Sequence, residues 1–307
     1  MTFIMFVLHN IQELRSIIDF FVMKNVLVLT DFKAAAKCAA EQALTIAAQI
    51  NAEIWLVNVY PITPYLPPVG SAVLPETTAV QKRRDSLLKL NREVRRLERI
   101  KLPGQKPTIR PVALEGQLAD RVAEFAHRKK SRLIAMGASK KSYGDPLFSG
   151  DVKAVLHHVG CPVLATPVNA NYLNISHILF ATDLATADEP VIGELLDLTA
   201  RLKGQLTIGH VSPKVLIPDF AEQERVAAFS QKIKSLYPAV RHANVRASKV
   251  VEGLEMLEQE KQVDILALRY RKHPFWYHLF HENPLKELLS SGRLALLIFP
   301  DKTLRNE

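Results

Sequence analysis

The chain repeats itself, and that repetition limits its possible folds more than any single motif. NVLVLTDF, beginning at Asn25, parallels HILFATDL, beginning at His177. Each is an apolar run ending in Thr-Asp. A helical stretch follows each one, AAAKCAAEQALTIAAQI and then EPVIGELLDLTARL. The strand-like runs AEIWLVNVY and GQLTIGHVS come next. Further on, VALEGQLADRVAEFAHRKKSRLIAMG corresponds to KVVEGLEMLEQEKQVDILALR. Each half closes on a short helix, a strand and a proline, in VKAVLHHVGCPVLATP and LKELLSSGRLALLIFP. Self-similar elements in one fixed order are the mark of a duplicated domain.

Within each half, strands alternate with helices. The strands VLVL, IWLV, LIAM and PVLA are continuous apolar runs, as expected of strands buried on both faces. Alternation of this kind specifies an α/β fold with parallel strands and right-handed crossovers. The expected architecture is two tandem doubly wound domains, each a five-stranded parallel sheet flanked by helices. Strands are expected to begin near Asn25, Glu53, Thr108, Arg132 and Pro162, and again near His177, Gln205, His242, Asp264 and Leu294. The polar, turn-like NANYLN marks a join around Val168 to Ser176. The domains therefore run over 23–168 and 176–301. A chain of 307 residues, 48% hydrophobic, is long enough to bury two cores.

Residues 1–22 form an N-terminal extension. No basic region precedes MTFIMFVL and no small-residue cleavage site follows it, so it does not read as a signal peptide. Met23 directly precedes the first strand and reads as the natural start. The rival reading is an amphipathic helix packed on the body or on a partner. No run of about 20 apolar residues is present, which argues against a membrane span. The two cysteines, Cys38 and Cys161, are far apart, which suits a reducing cytoplasm better than a secreted scaffold.

The formal net charge is +9. Much of the basic charge lies in QKRRDSLLKLNREVRRLERIK, where Leu87, Leu90, Val94 and Leu97 recur at helical spacing. The segment has no aromatic residue to stack on bases. It reads as a surface helix with a solvated basic face, and nucleic acid is not the expected partner.

In open α/β sheets, ligands bind beyond the carboxyl ends of the strands, where strand order reverses. Three features of the first half should meet there. They are Thr30-Asp31 after strand one, Asn58-Val59 after strand two, and Met136-Gly137 with the loop GASKKSYGDPLFSG after strand four. Gly137 and Gly150 permit close backbone approach, and the helix beginning near Asp151 and Val152 offers free N–H groups to an anion. Lys140 and Lys141 add positive charge.

These residues resemble the universal stress protein family in its tandem two-domain form. The likeness rests on TDF, on MG after strand four, on Gly150, and on the closing His157, Cys161, Pro162, Val163 and Leu164. It spans Met23 to about Pro300 and implies an adenine nucleotide alpha hydrolase-like fold. Some members bind ATP through a Gly-x2-Gly-x9-Gly-Ser/Thr loop, with an Asp after strand one and a Val after strand two. Gly137 and Gly150 match the first and third glycines, and Asp31 and Val59 match the adenosine side. Lys140 stands in place of the second glycine, and Asp151 in place of Ser/Thr. Lys140 can meet phosphate with its ammonium but obstructs close backbone approach. Asp151 suits a helix start but repels phosphate there, unless it acts through Mg²⁺.

The second half keeps Asp183 and His210-Val211, but its fourth loop reads RYRKHPFWYHLFHENP, with no glycine between Gly253 and Gly292. That loop also holds His273, His278 and His281, with Glu282 beside them, and His278 and His281 could share a helix face and bind a metal. The favoured reading is an aromatic surface patch with Phe275, Trp276, Tyr277 and Phe280, suited to a protein partner. No HExxH, GxSxG or Walker pattern occurs, so no catalytic residues are assigned. The expected function is a cytoplasmic stress-response module that binds ATP or a related nucleotide, with Mg²⁺, in its first domain. The alternative is a nucleotide-independent interaction module, with both sites vestigial, acting on a protein partner or by self-association. A slow ATP hydrolase ranks last.

Overall fold

The computed structural model describes residues 24–62, 75–102, 104–138, 150–170, 175–213, 220–270 and 294–300. The N-terminal extension, Lys140 and Lys141, and the aromatic-histidine segment lie outside the described residues.

The first half contains β1 (Asn25–Leu29), α1 (Ala34–Ile50), β2 (Glu53–Tyr60), α2 (Pro75–Glu98), β3 (Ile109–Glu115), α3 (Leu118–Lys129), β4 (Ile134–Gly137), α4 (Gly150–His158) and β5 (Val163–Thr166). The second contains β6 (His177–Ala181), a 3-10 turn at Thr186–Asp188, α5 (Glu189–Arg201), β7 (Gln205–Pro213), α6 (Phe220–Leu236), β8 (Arg241–Ala247), α7 (Val250–Lys261), β9 (Ile265–Arg269) and β10 (Ala295–Phe299). The expected strand starts therefore hold to within two residues. The central strands are buried along their whole length, which is why they show no alternation in sequence.

All ten strands form one sheet, in the order β3-β2-β1-β4-β5-β10-β9-β6-β7-β8. Each half contributes a parallel set of five whose order reverses between its first and fourth strands. The halves meet through β5 and β10, which pair antiparallel with Leu164 opposite Leu297. The two parallel sheets expected from sequence are thus fused edge to edge. Because β5 and β10 run in opposite directions, the carboxyl ends of the two halves point to opposite sides of the molecule.

One face of the sheet packs on α3, α4 and α7 through residues such as Val122, Val155 and Leu257. The other packs on α1, α2, α5 and α6 through Ala43, Leu90, Ile192 and Ile233. Alanines along α1 bring that helix close to the strands while favouring the helical backbone. In the basic helix α2, Leu90 and Leu97 are fully buried, as their spacing requires. Arg96 is not part of a free basic face. Its guanidinium bonds Glu93 at 2.7 Å and also reaches Glu41, tying α2 to α1.

The duplication extends to the backbone. Phe32 and Leu184 have φ of 67° and 66°, Asn51 and Lys203 have 54° and 53°, and Lys130 and Gln262 both have 52°. These left-handed residues occupy matching places, after the first strand and at helix carboxyl ends. Such turns satisfy the last carbonyls of a helix, and the Asn51 N–H bonds the Ala47 carbonyl.

The outer edges are β3 and β8. The Ile54 N–H donates to the Thr108 carbonyl at 2.8 Å. Even-numbered backbone groups of β3 therefore face β2, and odd-numbered ones face outward. Pro111 falls in the outward row and has no N–H to offer, which discourages further pairing at that edge. Among the described residues, no helix is long and apolar enough to cross a membrane.

Candidate functional site

The site begins where β1 runs out. The Thr30 N–H donates to the Val57 carbonyl at 2.9 Å, continuing the sheet by one residue. The Thr30 hydroxyl oxygen accepts the Phe32 N–H, and Asp31 Oδ1 accepts the Lys33 N–H, both at 3.0 Å. These two bonds fold the left-handed turn that leads into α1. Asn58 locks the turn to β2 and α2. Its amide donates to the Thr30 carbonyl at 2.7 Å, and its Oδ1 accepts the Ser86 hydroxyl at 2.8 Å. Both ends of Asn58 are thereby spent on the protein, so its role is to fix Thr30 and Asp31.

Gly137 ends β4 against the start of α1. A β-carbon there would lie 2.5 Å from the Ala35 carbonyl carbon and from the Ala36 nitrogen. Only glycine permits that approach. Gly116 ends β3 at φ 138° and donates its N–H to the Tyr60 carbonyl at 3.0 Å.

These ends enclose a cleft of about 710 Å³, within the size range of small-molecule sites. Thr30, Asp31, Val59, Met136, Gly137 and Asp151 line it together. It sits at the reversal of strand order between β1 and β4. Gly150 is the first residue of α4, and Asp151 stands in its first turn. The Val152 side chain is fully buried in the core, which leaves its backbone N–H as the group it can offer at the start of α4. Lys140 lies outside the described residues. Lys33, Gly116, Gln117 and Ile62 also line the cleft and were not among the sequence candidates. Gly116 was the available signal, since a glycine directly after a strand often marks a close approach.

The charges at the mouth are arranged in a definite way. Lys33 Nζ is 3.3 Å from Asp31 Oδ2, and both side chains are more than half exposed. Such a pair is worth at most about 1 kcal/mol, so it orients Asp31 more than it stabilises the fold. The remaining walls, Leu29, Val57, Val59 and Met136, are apolar.

The second half builds the same turn with different side chains around it. Thr182 donates its N–H to the Gly209 carbonyl at 3.0 Å, and its hydroxyl oxygen accepts the Leu184 N–H at 2.9 Å. His210 replaces Asn58, donating from Nδ1 to the Thr182 carbonyl at 2.9 Å. Its Nε2 is 3.7 Å from Glu222 Oε1 on α6. The strand registers put Arg269 at the place of Gly137. Its guanidinium donates to the Ala187 carbonyl at 2.7 Å and lies 3.9 Å from Asp188 Oδ1. Asp188 is buried and accepts the Thr182 hydroxyl at 2.7 Å. An arginine therefore stands where the first half has the glycine that packs against α1.

The described residues offer little for covalent or metal chemistry. No group of three or more His, Cys, Asp or Glu among them could hold a metal ion. Neither cysteine is in a disulfide, and Cys161 is buried. Burial and the nearby Glu41 raise the Cys38 thiol above its ordinary pKa, and its Sγ donates to the Val168 carbonyl at 2.8 Å. A thiol held protonated is a poor nucleophile.

With this geometry established, known proteins give a consistent match. The model for the universal stress protein family matches residues 23–167. Universal stress protein MJ0531 of Methanocaldococcus jannaschii is 30% identical over 144 residues, spanning 46% of this chain and 80% of that protein. A solved universal stress protein from Archaeoglobus fulgidus DSM 4304 is similar over 91% of this chain and 98% of its own, at 12% identity and a TM-score of 0.65. A functionally unknown protein from Pseudomonas aeruginosa PAO1 covers 92% of this chain and 95% of its own, at 14% identity and a TM-score of 0.55. The last two similarities concern the fold.

Proposed function

Since the chain belongs to the universal stress protein family, we propose that it is a cytoplasmic stress-response module whose first half binds ATP or a related nucleotide. The observation that carries this reading is the meeting of Thr30, Asp31, Val59, Met136, Gly137 and Asp151 around one cleft of about 710 Å³. They come from sequence positions far apart. The sheet assembles them at the point where a doubly wound fold takes its ligand.

The residues present fit an adenine nucleotide in most respects. Apolar walls from Val59 and Met136 suit a flat base, and Asp31 can accept from ribose hydroxyls. The β-carbon that Gly137 lacks would collide with α1, so the glycine keeps the Ala35–Ala36 wall of the cleft in place. The first turn of α4 presents backbone N–H groups toward the phosphate end. When Mg²⁺ accompanies the nucleotide, it supplies charge neutralisation, and Asp151 is the carboxylate able to share it.

Calorimetric titration of ATP into the full chain, with and without Mg²⁺, tests the reading. Heat of binding and a thermal shift are expected. No heat and no shift at millimolar ATP would overturn it.

Asp151 and Arg269 favour a second reading, a nucleotide-independent interaction module. The first places a carboxylate where phosphate would dock, and the second puts a bulky cation, bonded to the Ala187 carbonyl, where the first half has Gly137. On that reading ATP is silent, and a protein partner or a second copy of the chain is recovered instead.

A further inference from the structure

We propose that the outer edge of β3 is a docking site for an extended acidic peptide of a partner protein, one with carboxylates on two successive residues. The proposal does not depend on nucleotide binding, because the site is a second cleft that shares no lining residue with the first.

This cleft of about 340 Å³ lies at the carboxyl end of β3, against Ala113, Leu114 and Glu115. Among the described residues, no strand pairs with the outer side of β3. The alternation along the strand turns the backbone groups of Ala113 and Glu115 outward. Pro111, next in that row, has no N–H, so an added strand can pair only with the short stretch beyond it. Few backbone hydrogen bonds are available there. Side-chain attraction has to supply the rest of the affinity and the choice of partner.

The charges on the two flanking helices supply it. Arg83 of α2 and Arg121 and Arg128 of α3 line the cleft, with Glu115 and Glu124. Arg121 is spent on Glu124 at 2.7 Å, and it packs over Gly116, where a β-carbon would fall 2.7 Å from its Nε. Arg83 and Arg128 have no ion pair or hydrogen bond among the described residues. Arg128 rests on Phe125, its guanidinium carbon 5.1 Å from the ring centroid, which leaves its donors for a ligand. The segment 63–74 leading into α2 carries no charged residue, so it brings no carboxylate to Arg83. Two uncommitted guanidinium groups thus stand against the single carboxylate of Glu115.

Their placement selects the pattern of the ligand. α3 packs on one face of the sheet and α2 on the other. Successive side chains of a strand point to opposite faces. In a strand added to β3, one of two adjacent carboxylates would turn toward Arg83 and the other toward Arg128. An arginine fork suits each of them.

The test is calorimetric titration of capped peptides of about eight residues into the full chain at low ionic strength. One peptide carries two adjacent glutamates at its centre, a second carries glutamines there, and a third keeps the glutamates but is N-methylated at both. The glutamate peptide should bind at least about threefold more tightly than the glutamine peptide, and added salt should erase the difference. Arg83→Gln and Arg128→Gln, both at exposed positions, should each weaken the glutamate peptide by about two- to fivefold without moving the melting temperature. The N-methylated peptide, equal in charge but unable to pair with the edge, should lose its binding. Equal affinity for the glutamate and glutamine peptides would overturn the proposal, as would no binding at millimolar concentration. Undiminished binding of the N-methylated peptide, or equally effective competition by a single-stranded oligonucleotide, would reduce the site to a surface that reads charge alone and overturn it too.

Discussion

Leu164 on β5 lies directly opposite Leu297 on β10, and these two leucines are each other's counterparts in the duplicated sequence. Val163 pairs with Ile298 and Ala165 with Leu296 on either side of them. The two copies are therefore related by an internal pseudo-twofold axis through the junction, the geometry of an isologous dimer built within one chain.

A consequence concerns the first half alone. Residues 23–168 expressed without the second half would expose the β5 edge, an unpaired row of backbone groups. They are expected to form a twofold dimer through β5, with Leu164 opposite Leu164 of the other copy. Light scattering on a sizing column measures this. A stable monomer at tens of micromolar would contradict it.

The closeness of Gly137 to α1 gives a second expectation. Gly137→Val forces the start of α1 away from β4, because even its β-carbon falls 2.5 Å from the Ala35–Ala36 peptide. Overpacking of this kind costs about 1–3 kcal/mol, visible as a lower urea midpoint. Nucleotide affinity should fall with it, since the same displacement moves the Ala35 and Ala36 walls of the cleft out of place. An unchanged midpoint would mean that α1 yields more easily than its packing implies.

Asn58 is expected to act through the turn it holds. Asn58→Ala leaves the Thr30 carbonyl and the Ser86 hydroxyl without their partner. The loss should be about 1–2 kcal/mol of stability, together with weaker nucleotide binding. Asn58→His, the second half's own solution, should recover much of it, because His210 bonds the Thr182 carbonyl in the same way. Denaturant curves for the two variants separate these outcomes.

In the second half, Arg269→Gly is expected to destabilise the fold without creating a nucleotide site. Removing the guanidinium leaves buried Asp188 without a neighbouring charge at 3.9 Å, and the Ala187 carbonyl without its donor. A cost of about 1–3 kcal/mol follows from losing the donor to the Ala187 carbonyl and the cation beside Asp188, which keeps its bond from Thr182. Gain of ATP binding in this half, read from a variant whose first site is blocked by Gly137→Val, would refute the expectation.

Acid should weaken the β8 edge. Burial, reinforced by Lys234, lowers the pKa of His242 below its usual 6.5. Its Nε2 is buried without a hydrogen-bond partner. The folded state therefore binds fewer protons at this site than the unfolded state does. Stability is full above the unfolded value and is lost as pH falls through that value toward the lower folded one. His242→Gln should flatten this loss, measured as the melting temperature between about pH 7 and pH 5.

Some of this was written in the order of residues. Continuous apolar runs such as VLVL and LIAM specified buried parallel strands, because a strand covered on both faces has no polar side to alternate with. The repeat of TDF and TDL, and of the elements after them, specified two copies. Thr30, Asp31, Val59, Met136 and Gly137 could be picked out because the fold rule sends ligands to strand carboxyl ends. Val152, expected to contribute at the start of the helix that offers backbone N–H groups, turns its side chain into the core, a direction that sequence does not give for a helix's first turn. Gly116, Gln117 and Lys33 were passed over because their role depends on which strand ends come together.

The chain alone therefore determined the α/β class, the duplication and the chemical types available at the carboxyl ends of the strands, all of which follow from local pattern. Tertiary structure decided that the two sheets fuse through β5 and β10, that strand ends of the first half enclose a cleft, and that Arg269 of the second half reaches Ala187 and Asp188. Those outcomes depend on edge pairing and on distances between residues remote in sequence, such as Leu164 with Leu297 and Gly137 with Ala36. No local preference encodes such distances. They are set when the apolar faces of helices and strands are buried together.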